Sequence, residues 1–250
     1  MTYANLADVY DRFANDFDYD EWTKWYLSLI DSADKRAVSV CDCGCGTGSI
    51  AVRLAKKGKR VIGIDLSEDM LRVASDKARA WGTQIRFARQ NMEALELPRP
   101  VDAIICACDG VNYLTDENKV RRFLESAYEN ILPGGTLAFD VSNLDKLSGM
   151  GKTYLYGEDR EEATYLWTNE FNEETRQIAM RVVFFVREDD GRYRKFEETH
   201  VQRAHTVNEL ETWLTETGFT NICTFGSDEG EGPGPGGKRV YIKAIKPKGR

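Results

Sequence analysis

Two short stretches carry residues whose types and spacing could do chemistry together. The first, Cys41-Asp42-Cys43-Gly44-Cys45-Gly46-Thr47-Gly48, follows the apolar run 37–41 and precedes an apolar-periodic stretch, 50–57, so it reads as the turn between a strand and a helix. Glycines there permit positive φ and close backbone approach, and a helix start offers unpaired N–H groups to a ligand. The second is Asp65, which closes the run Val61-Ile62-Gly63-Ile64. It stands about 20 residues past the turn, where a carboxylate can accept hydrogen bonds from both hydroxyls of a ribose. The pair points to a nucleoside-bearing ligand, with a bare structural turn as the plain alternative. A dinucleotide fits less well, because the Gly-x-Gly-x-x-Gly fingerprint counted from Gly44 needs glycine where Ser49 stands. A nicotinamide-dependent oxidoreductase is demoted accordingly.

Other reactive side chains are few. His200 and His205 are the only histidines. His200 ends a β-type run, where it could serve as a base or hydrogen-bond partner, and His205 precedes a helix start; a satisfied structural role is the alternative for each. Cys41, Cys43 and Cys45 alternate along the chain, as do Cys106 and Cys108. Thiols two apart on a strand point the same way and do not easily bridge. Zinc sites usually show a Cys-x-x-Cys spacing that is missing here, so no metal is expected.

The elements that must position these residues alternate in type. A helix capped by Ser67 runs to Trp81 with Met70, Leu71 and Ala74 on its inner side, and strands follow at 85–88 and 101–106. A helix over 116–132 carries Val120, Phe123, Leu124 and Ala127 on one face; Pro133-Gly134-Gly135 should stop it before a strand over 136–141. Alternation of this kind predicts an α/β, doubly wound, Rossmann-like sheet with ligands at the carboxyl ends of its strands. Ahead of it, Leu6, Val9, Tyr10 and Phe13, then Trp22, Trp25, Tyr26 and Leu29, predict two short helices. After it, the runs 162–171, 177–187 and 192–201 change to an antiparallel texture, and a helix from Val207 to Gly218 and two runs, 219–225 and 239–245, return to the core. The expected organisation is a helical cap over 1–30, a core over 31–142 and 206–250, and an antiparallel lid insert over 143–205.

Composition bounds the function. With 250 residues, 42% of them hydrophobic, the chain can bury a large core, which excludes disordered and collagen-like classes. Lys plus Arg is 34 against 41 for Asp plus Glu, a net charge of −7, so no general basic field exists to hold a phosphate backbone and nucleic acid is disfavoured as a partner. No window approaches the roughly 18 apolar residues of a membrane span, and the opening residues lack the pattern of a signal peptide. A cytoplasmic protein with free thiols is expected.

Five motifs in order now carry a resemblance. Val40 to Gly48 is similar to the first motif of class I S-adenosylmethionine-dependent methyltransferases, and Ile64-Asp65-Leu66-Ser67-Glu68-Asp69-Met70-Leu71 to the second. Asn91-Met92, Cys106 to Leu114, and Leu132-Pro133-Gly134-Gly135 continue the match. Tyr3, Tyr10-Asp11, Tyr19 with Trp22, and the insert resemble small bacterial members with a β-rich substrate lid. The resemblance implies a seven-stranded sheet and S-adenosyl-L-methionine as cofactor. Gly44, Cys45 and Gly46, in the turn closed by Gly48, would cradle its methionine part, Asp65 would hold the ribose, and Leu66 and Met70 would pack on the adenine. Asn91 and Met92 would meet the adenine's edge and face; the family often has Asp where Asn91 stands, so a charge is lost but a hydrogen-bonding group kept. Ala107 and Cys108 would line the methionine side, and Tyr3, Tyr10 and Trp22 would close the site, with core packing as the alternative for the aromatics.

Methyl transfer from a sulfonium is an in-line displacement with an activated leaving group, so the protein chiefly aligns the nucleophile and excludes water. The expected activity is transfer to a small-molecule N or O nucleophile, with Tyr113, Asn112 and His200 near the reacting atom. Tyr165, Trp167 and Asn169 share one strand face of the lid and Arg181, Val183 and Phe185 share one face of the next; Trp167 and Arg181 are the expected substrate contacts. A nucleic-acid methyltransferase is the enzymatic rival, but Asp109-Gly110-Val111-Asn112-Tyr113 lacks the prolines of the Asp/Asn-Pro-Pro-Tyr type motif. A non-catalytic protein that merely holds the cofactor is the rival of another class. The oligomeric state is left open.

Overall fold

The computed structural model describes residues 7, 10–11, 18–31, 36–152, 155–160, 163–188, 190–226 and 238–249. The first half alternates helix and strand as its apolar pattern requires: α1 (Tyr19–Ile30), β1 (Ser39–Cys43), α2 (Ser49–Lys56), β2 (Arg60–Asp65), α3 (Glu68–Ala80), β3 (Arg86–Arg89), β4 (Val101–Cys106), α4 (Glu117–Asn130) and β5 (Ile131–Ser142). A short helix, α5 (Leu144–Gly151), leads to β6 (Leu155–Asp159), β7 (Ala163–Asn172), β8 (Gln177–Arg187) and β9 (Tyr193–Arg203). The chain returns through α6 (Val207–Thr217), β10 (Thr220–Gly226) and β11 (Arg239–Ile245).

Seven strands form one sheet in the order β10-β11-β5-β4-β1-β2-β3, parallel from β5 to β3, with β11 antiparallel to both β5 and β10. β6 to β9 form a second, antiparallel sheet of four strands. The expected α/β sheet with an antiparallel β insert is therefore present. The central strands are buried on both faces, which is why they read as continuous apolar runs. Ile104, Leu137, Phe123 and Trp213 fill the core on one side, with α4 and α6. Val40, Ile105, Leu54 and Tyr241 fill the other, with α1 and α2. Among the described residues no helix is long and apolar enough to cross a membrane.

Local chemistry sets the ends of the helices. Ser67 Oγ accepts from the Met70 amide at 3.2 Å, Asp116 Oδ1 from the Lys119 amide at 3.0 Å, and Thr206 and Glu209 cap α6 reciprocally. One boundary departs from expectation: β5 begins at Ile131, not Thr136, and Pro133-Gly134-Gly135 lies inside it. The residues form an irregularity in the pairing with β4, where a Cβ on Gly135 would meet Asp102 O at 2.6 Å. α5 and β6 were not anticipated, since α5 is short and glycine-bearing and β6 is an exposed edge strand with no apolar alternation.

The second sheet is joined to the first by side chains at its base. Asn112, expected near the reacting atom, is wholly buried. Its Nδ2 donates to Ser142 O at 3.0 Å and Arg203 O at 2.9 Å, while its Oδ1 accepts from the Ser142 amide at 2.9 Å. The side chain ties the turn after β4 to the ends of β5 and β9. Gln177 Nε2 adds a bond to Thr115 O at 3.1 Å, and Arg176 and Arg203 both reach Glu209 on α6. Asn112→Ala leaves buried backbone groups without partners, each worth roughly 1–3 kcal/mol. Urea unfolding should show a loss of about 3 kcal/mol; an unchanged midpoint would remove Asn112 from this joint.

Candidate active site

The turn between β1 and α2 is held open by its own backbone. Gly44, Gly46 and Gly48 have φ of 71°, 54° and 74°, a region costly for residues with a Cβ. Gly44 and Cys45 both donate their amides to Ile64 O, at 2.8 and 2.9 Å. A Cβ on Gly48 would strike Ala74 Cβ at 2.9 Å, so its glycine lets α3 approach the turn, whereas a Cβ on Gly46 would meet nothing within 4 Å. Asp65 ties this turn to the start of α3: Oδ2 accepts from the Gly46 amide and Oδ1 from the Ser67 amide, each at 2.9 Å. Leu66 is 60% exposed beside it. Met92 closes the near side, its Cε 3.6 Å from where a Cβ on Gly44 would stand, and Asn91 Oδ1 caps the following 3-10 turn through the Glu93 amide. Met70 is buried against Ala7, Val182 and Phe184, so its side chain joins the core to the second sheet.

A second turn, after β4, faces the first across the carboxyl ends of the strands. Ala107 is buried, and Cys108 and Asp109 both take the left-handed conformation, φ 59° and 65°. Asp140 on β5 holds them there, since Oδ1 accepts from the Cys108 amide at 2.8 Å and Oδ2 from the Asp109 amide at 3.0 Å. Asp140 also accepts from the Tyr26 hydroxyl at 2.5 Å and pairs with Arg239, whose guanidinium reaches both oxygens of Asp109 at 2.6 and 2.9 Å. Burial works to raise the Asp109 carboxyl, but Arg239 and Lys146 outweigh it and hold it below the usual range. Burial dominates at Asp140 and keeps it raised, against the opposing pull of Arg239. Trp22, expected at the cofactor, is only 2% exposed and lies under this guanidinium, 4.9 Å from the ring centroid, edge-on to Tyr241. Its helix face turns into the core, where it supports Arg239.

Tyr113, from the 3-10 segment after β4, and His200, from β9, are brought together. The Tyr113 hydroxyl lies 3.4 Å from His200 Nδ1, and the rings meet edge-on at 6.0 Å. Burial lowers His200 to about 4, so the ring is neutral at neutral pH. Tyr10 is half-buried, and its hydroxyl, raised by burial, lies in the electrostatic field of Tyr19, Cys108, Tyr113 and Asp109. Tyr3 lies outside the described residues. Pairing of β7, β8 and β9 puts Asn169, Met180 and His200 in one row, and Trp167, Val182 and Glu198 in the next. The Trp167 indole donates to Asn169 Oδ1 at 2.6 Å. Arg181 falls between Met180 and Val182, hence on the opposite face; it is exposed and paired with Glu197 at 2.5 Å.

Residues 40–135 match the family model described as a methyltransferase domain. A protein of Geobacillus sp. (strain WCH70), provisionally named a methyltransferase, is 36% identical over 98% of this chain and 100% of its own length. The chain belongs to the methyltransferase family. Bacillus subtilis (strain 168) YqeM, a methyltransferase by the same kind of provisional name, is 33% identical over 99% of this chain and 98% of its own. A crystal structure of an S-adenosylmethionine-dependent methyltransferase from Clostridium acetobutylicum ATCC 824 is similar throughout, with TM-score 0.83 and 27% identity over 99% of both chains. The fold is also that of the amino pentose methyltransferase CalS10 from Micromonospora echinaspora, TM-score 0.73 at 20% identity over 95% and 96% of the two chains.

Several residues of this methyltransferase's site escaped the sequence reading. Asp140 and Arg239 lie in runs that read as ordinary strands, and the visible signal was a charge inside each. Glu198, 4% exposed on the same sheet face as His200, was hidden among the acidic residues of β9. His205 is structural, with Arg203 Nη1 at 2.7 Å and Trp213 edge-on. Among the described residues no group of three or more His, Cys, Asp or Glu could hold a metal.

Asp42, 2% exposed behind the glycine turn, is pushed up to about 7 by burial and then by the nearby Asp65. The folded state thus binds its proton more tightly than the unfolded chain, and this group's contribution to stability is lost as pH rises from about 4 to about 7. His200 and His205, both lowered to about 4, act in the opposite direction over the range up to about 6.5. Asp42→Asn deletes only the first effect. Relative to the parent, the variant should gain stability between pH 5 and pH 8 in urea unfolding; an equal difference at both pH values would mean that Asp42 is already ionised at pH 5.

Proposed function

We propose that this methyltransferase transfers a methyl group from S-adenosylmethionine to a small-molecule nitrogen or oxygen nucleophile. The observation that supports it best is the open backbone turn Gly44 to Gly46, tied to Asp65 and facing Cys108, Tyr113 and His200 across the carboxyl ends of the strands. The residues present fit the cofactor: backbone groups of the turn Gly44 to Gly46 for the methionine part, a half-buried acid for ribose hydroxyls, and exposed Leu66 with Met92 for a flat apolar base. Each Asp65 oxygen already accepts one amide and retains a lone pair for a hydroxyl. Bound S-adenosylmethionine supplies an electrophilic methyl group on a sulfonium whose leaving group is already activated.

The protein's own task is then alignment and exclusion of water. Tyr113 and neutral His200 orient the nucleophile by hydrogen bonding, and Tyr10 closes the compartment beside them. Trp167, Met180 and Val182 form an apolar wall that keeps water from the methyl group. In this reading residues 31–142 and 206–250 hold the cofactor, 143–205 wall the acceptor, and 1–30 cap the site. The shared fold with an amino pentose methyltransferase is compatible with an acceptor of that size.

S-adenosylhomocysteine should bind in the micromolar range, and Asp65→Ala should weaken it by roughly 1.5–3 kcal/mol, the worth of a charge-assisted hydrogen bond. Calorimetry on folded protein reads this directly, and an unchanged affinity would remove Asp65 from the cofactor site. Incubation with methyl-labelled cofactor and a fractionated small-metabolite extract should yield a labelled small molecule; label confined to nucleic acid, or to nothing, would overturn the activity. With that acceptor, Trp167→Ala should lower turnover at least tenfold while S-adenosylhomocysteine affinity stays within twofold. Parallel loss of both would mean that the second sheet is not the acceptor wall.

A further inference from the structure

The Lys77 ammonium on α3 has three donors and three oxygen partners around it. It lies 2.6 Å from Asp11 Oδ2, 3.1 Å from Thr47 Oγ1 and 2.6 Å from Ser49 Oγ. Thr47 in turn donates from Oγ1 to Asp11 Oδ1 at 2.6 Å, so both oxygens of Asp11 are engaged. Thr47 is 2% exposed, and the Lys77 side chain is 16% exposed. A surface ion pair of long flexible side chains does little, but a partly buried ammonium whose every donor is used fixes what it touches. It touches the glycine turn through Thr47, the start of α2 through Ser49, and the residue next to Tyr10.

Tyr10 and Asp11 are consecutive residues of one helical turn, so their side chains leave it in different directions. Asp11 is held at the turn between β1 and α2. Tyr10 packs against the second sheet in the cluster containing Val182, Phe184 and Trp167, with its hydroxyl in the field of Tyr19, Cys108 and Tyr113. We infer that Lys77 is a positioning residue: by gripping Asp11 and Thr47 together, it sets Tyr10 against the second sheet and couples the cofactor turn to the acceptor side of the site. This deepens the proposed function and rests on it for the meaning of the two sides, while the mechanical link stands on the contacts alone. One cation thereby makes the shape of the acceptor wall depend on the shape of the cofactor turn.

The test uses the thiols as reporters and needs no acceptor. In ligand-free protein, timed iodoacetamide labelling followed by mass spectrometry gives separate rates for Cys45, half-buried in the glycine turn that Lys77 grips through Thr47, and for Cys43 and Cys106, which are buried in the sheet. Lys77→Met keeps the apolar stem and removes the charge. It should speed Cys45 labelling at least tenfold with Cys43 and Cys106 unchanged; Asp11→Asn should do the same, and Lys77→Arg should stay within threefold of the parent. A Cys45 rate unchanged in Lys77→Met or in Asp11→Asn, or one that rises only together with Cys43 and Cys106, overturns the positioning role. Calorimetry with S-adenosylhomocysteine on the parent protein is the separate arm: absence of binding there would defeat the methyltransfer reading, while the labelling rates would still decide what Lys77 does.

Discussion

The buried guanidinium of Arg239 is the constraint on which the site depends. It brings two carboxylates, Asp109 and Asp140, into a region from which water is excluded, and it rests on the face of Trp22. Desolvating such groups is expensive and is repaid only by close, fully bonded geometry. Here the geometry is close, and the remaining lone pairs are met by Tyr26, Ser142 and two backbone amides. What the cluster secures is a backbone conformation. Cys108 and Asp109 stand in the left-handed region that residues with a Cβ avoid, and they stay there because Asp140 accepts both of their amides.

From that turn the placement of the second sheet follows. The 3-10 segment after Asp109 carries Asn112 inward and Tyr113 outward, so one neighbour clamps the second sheet and the other meets His200 of that sheet. The two sheets therefore do not merely abut. Their relative placement is fixed by an amide with both of its N–H groups and its oxygen engaged, and the aromatic pair beside it inherits that placement. On the cofactor side Asp65 plays a comparable part, with one carboxylate holding both the glycine turn and the start of α3.

The sequence disclosed what is local. Val101 to Cys106, Gln177 to Arg187 and Arg239 to Ile245 were delimited correctly because each apolar or alternating run is bounded by turn-forming or charged residues. The glycine turn and Asp65 were visible because their spacing along the chain is itself the motif. What stayed hidden depends on partners far away in sequence. Arg239 meets Asp109 across 130 positions, and nothing near either residue announces the other. Trp22, Asn112 and Arg181 show the limit: residue type suggests a role, but the direction of the side chain is set by packing and strand register, which periodicity supplies only up to a choice of face.

β5 and β11 are hydrogen-bonded neighbours in the core, yet the whole second sheet lies between them in the chain. In polymer terms the sheet is a loop whose ends are pinned a strand apart, and closing a loop costs only about 0.6 kcal/mol more for each doubling of its length. The core is thus nearly indifferent to how much chain is spent there, provided the anchors at Asn112 and Glu209 are kept. Such an arrangement lets the second sheet be lengthened, shortened or recut over evolutionary time while the seven-stranded core is inherited intact, which is a thermodynamic route by which one scaffold diversifies.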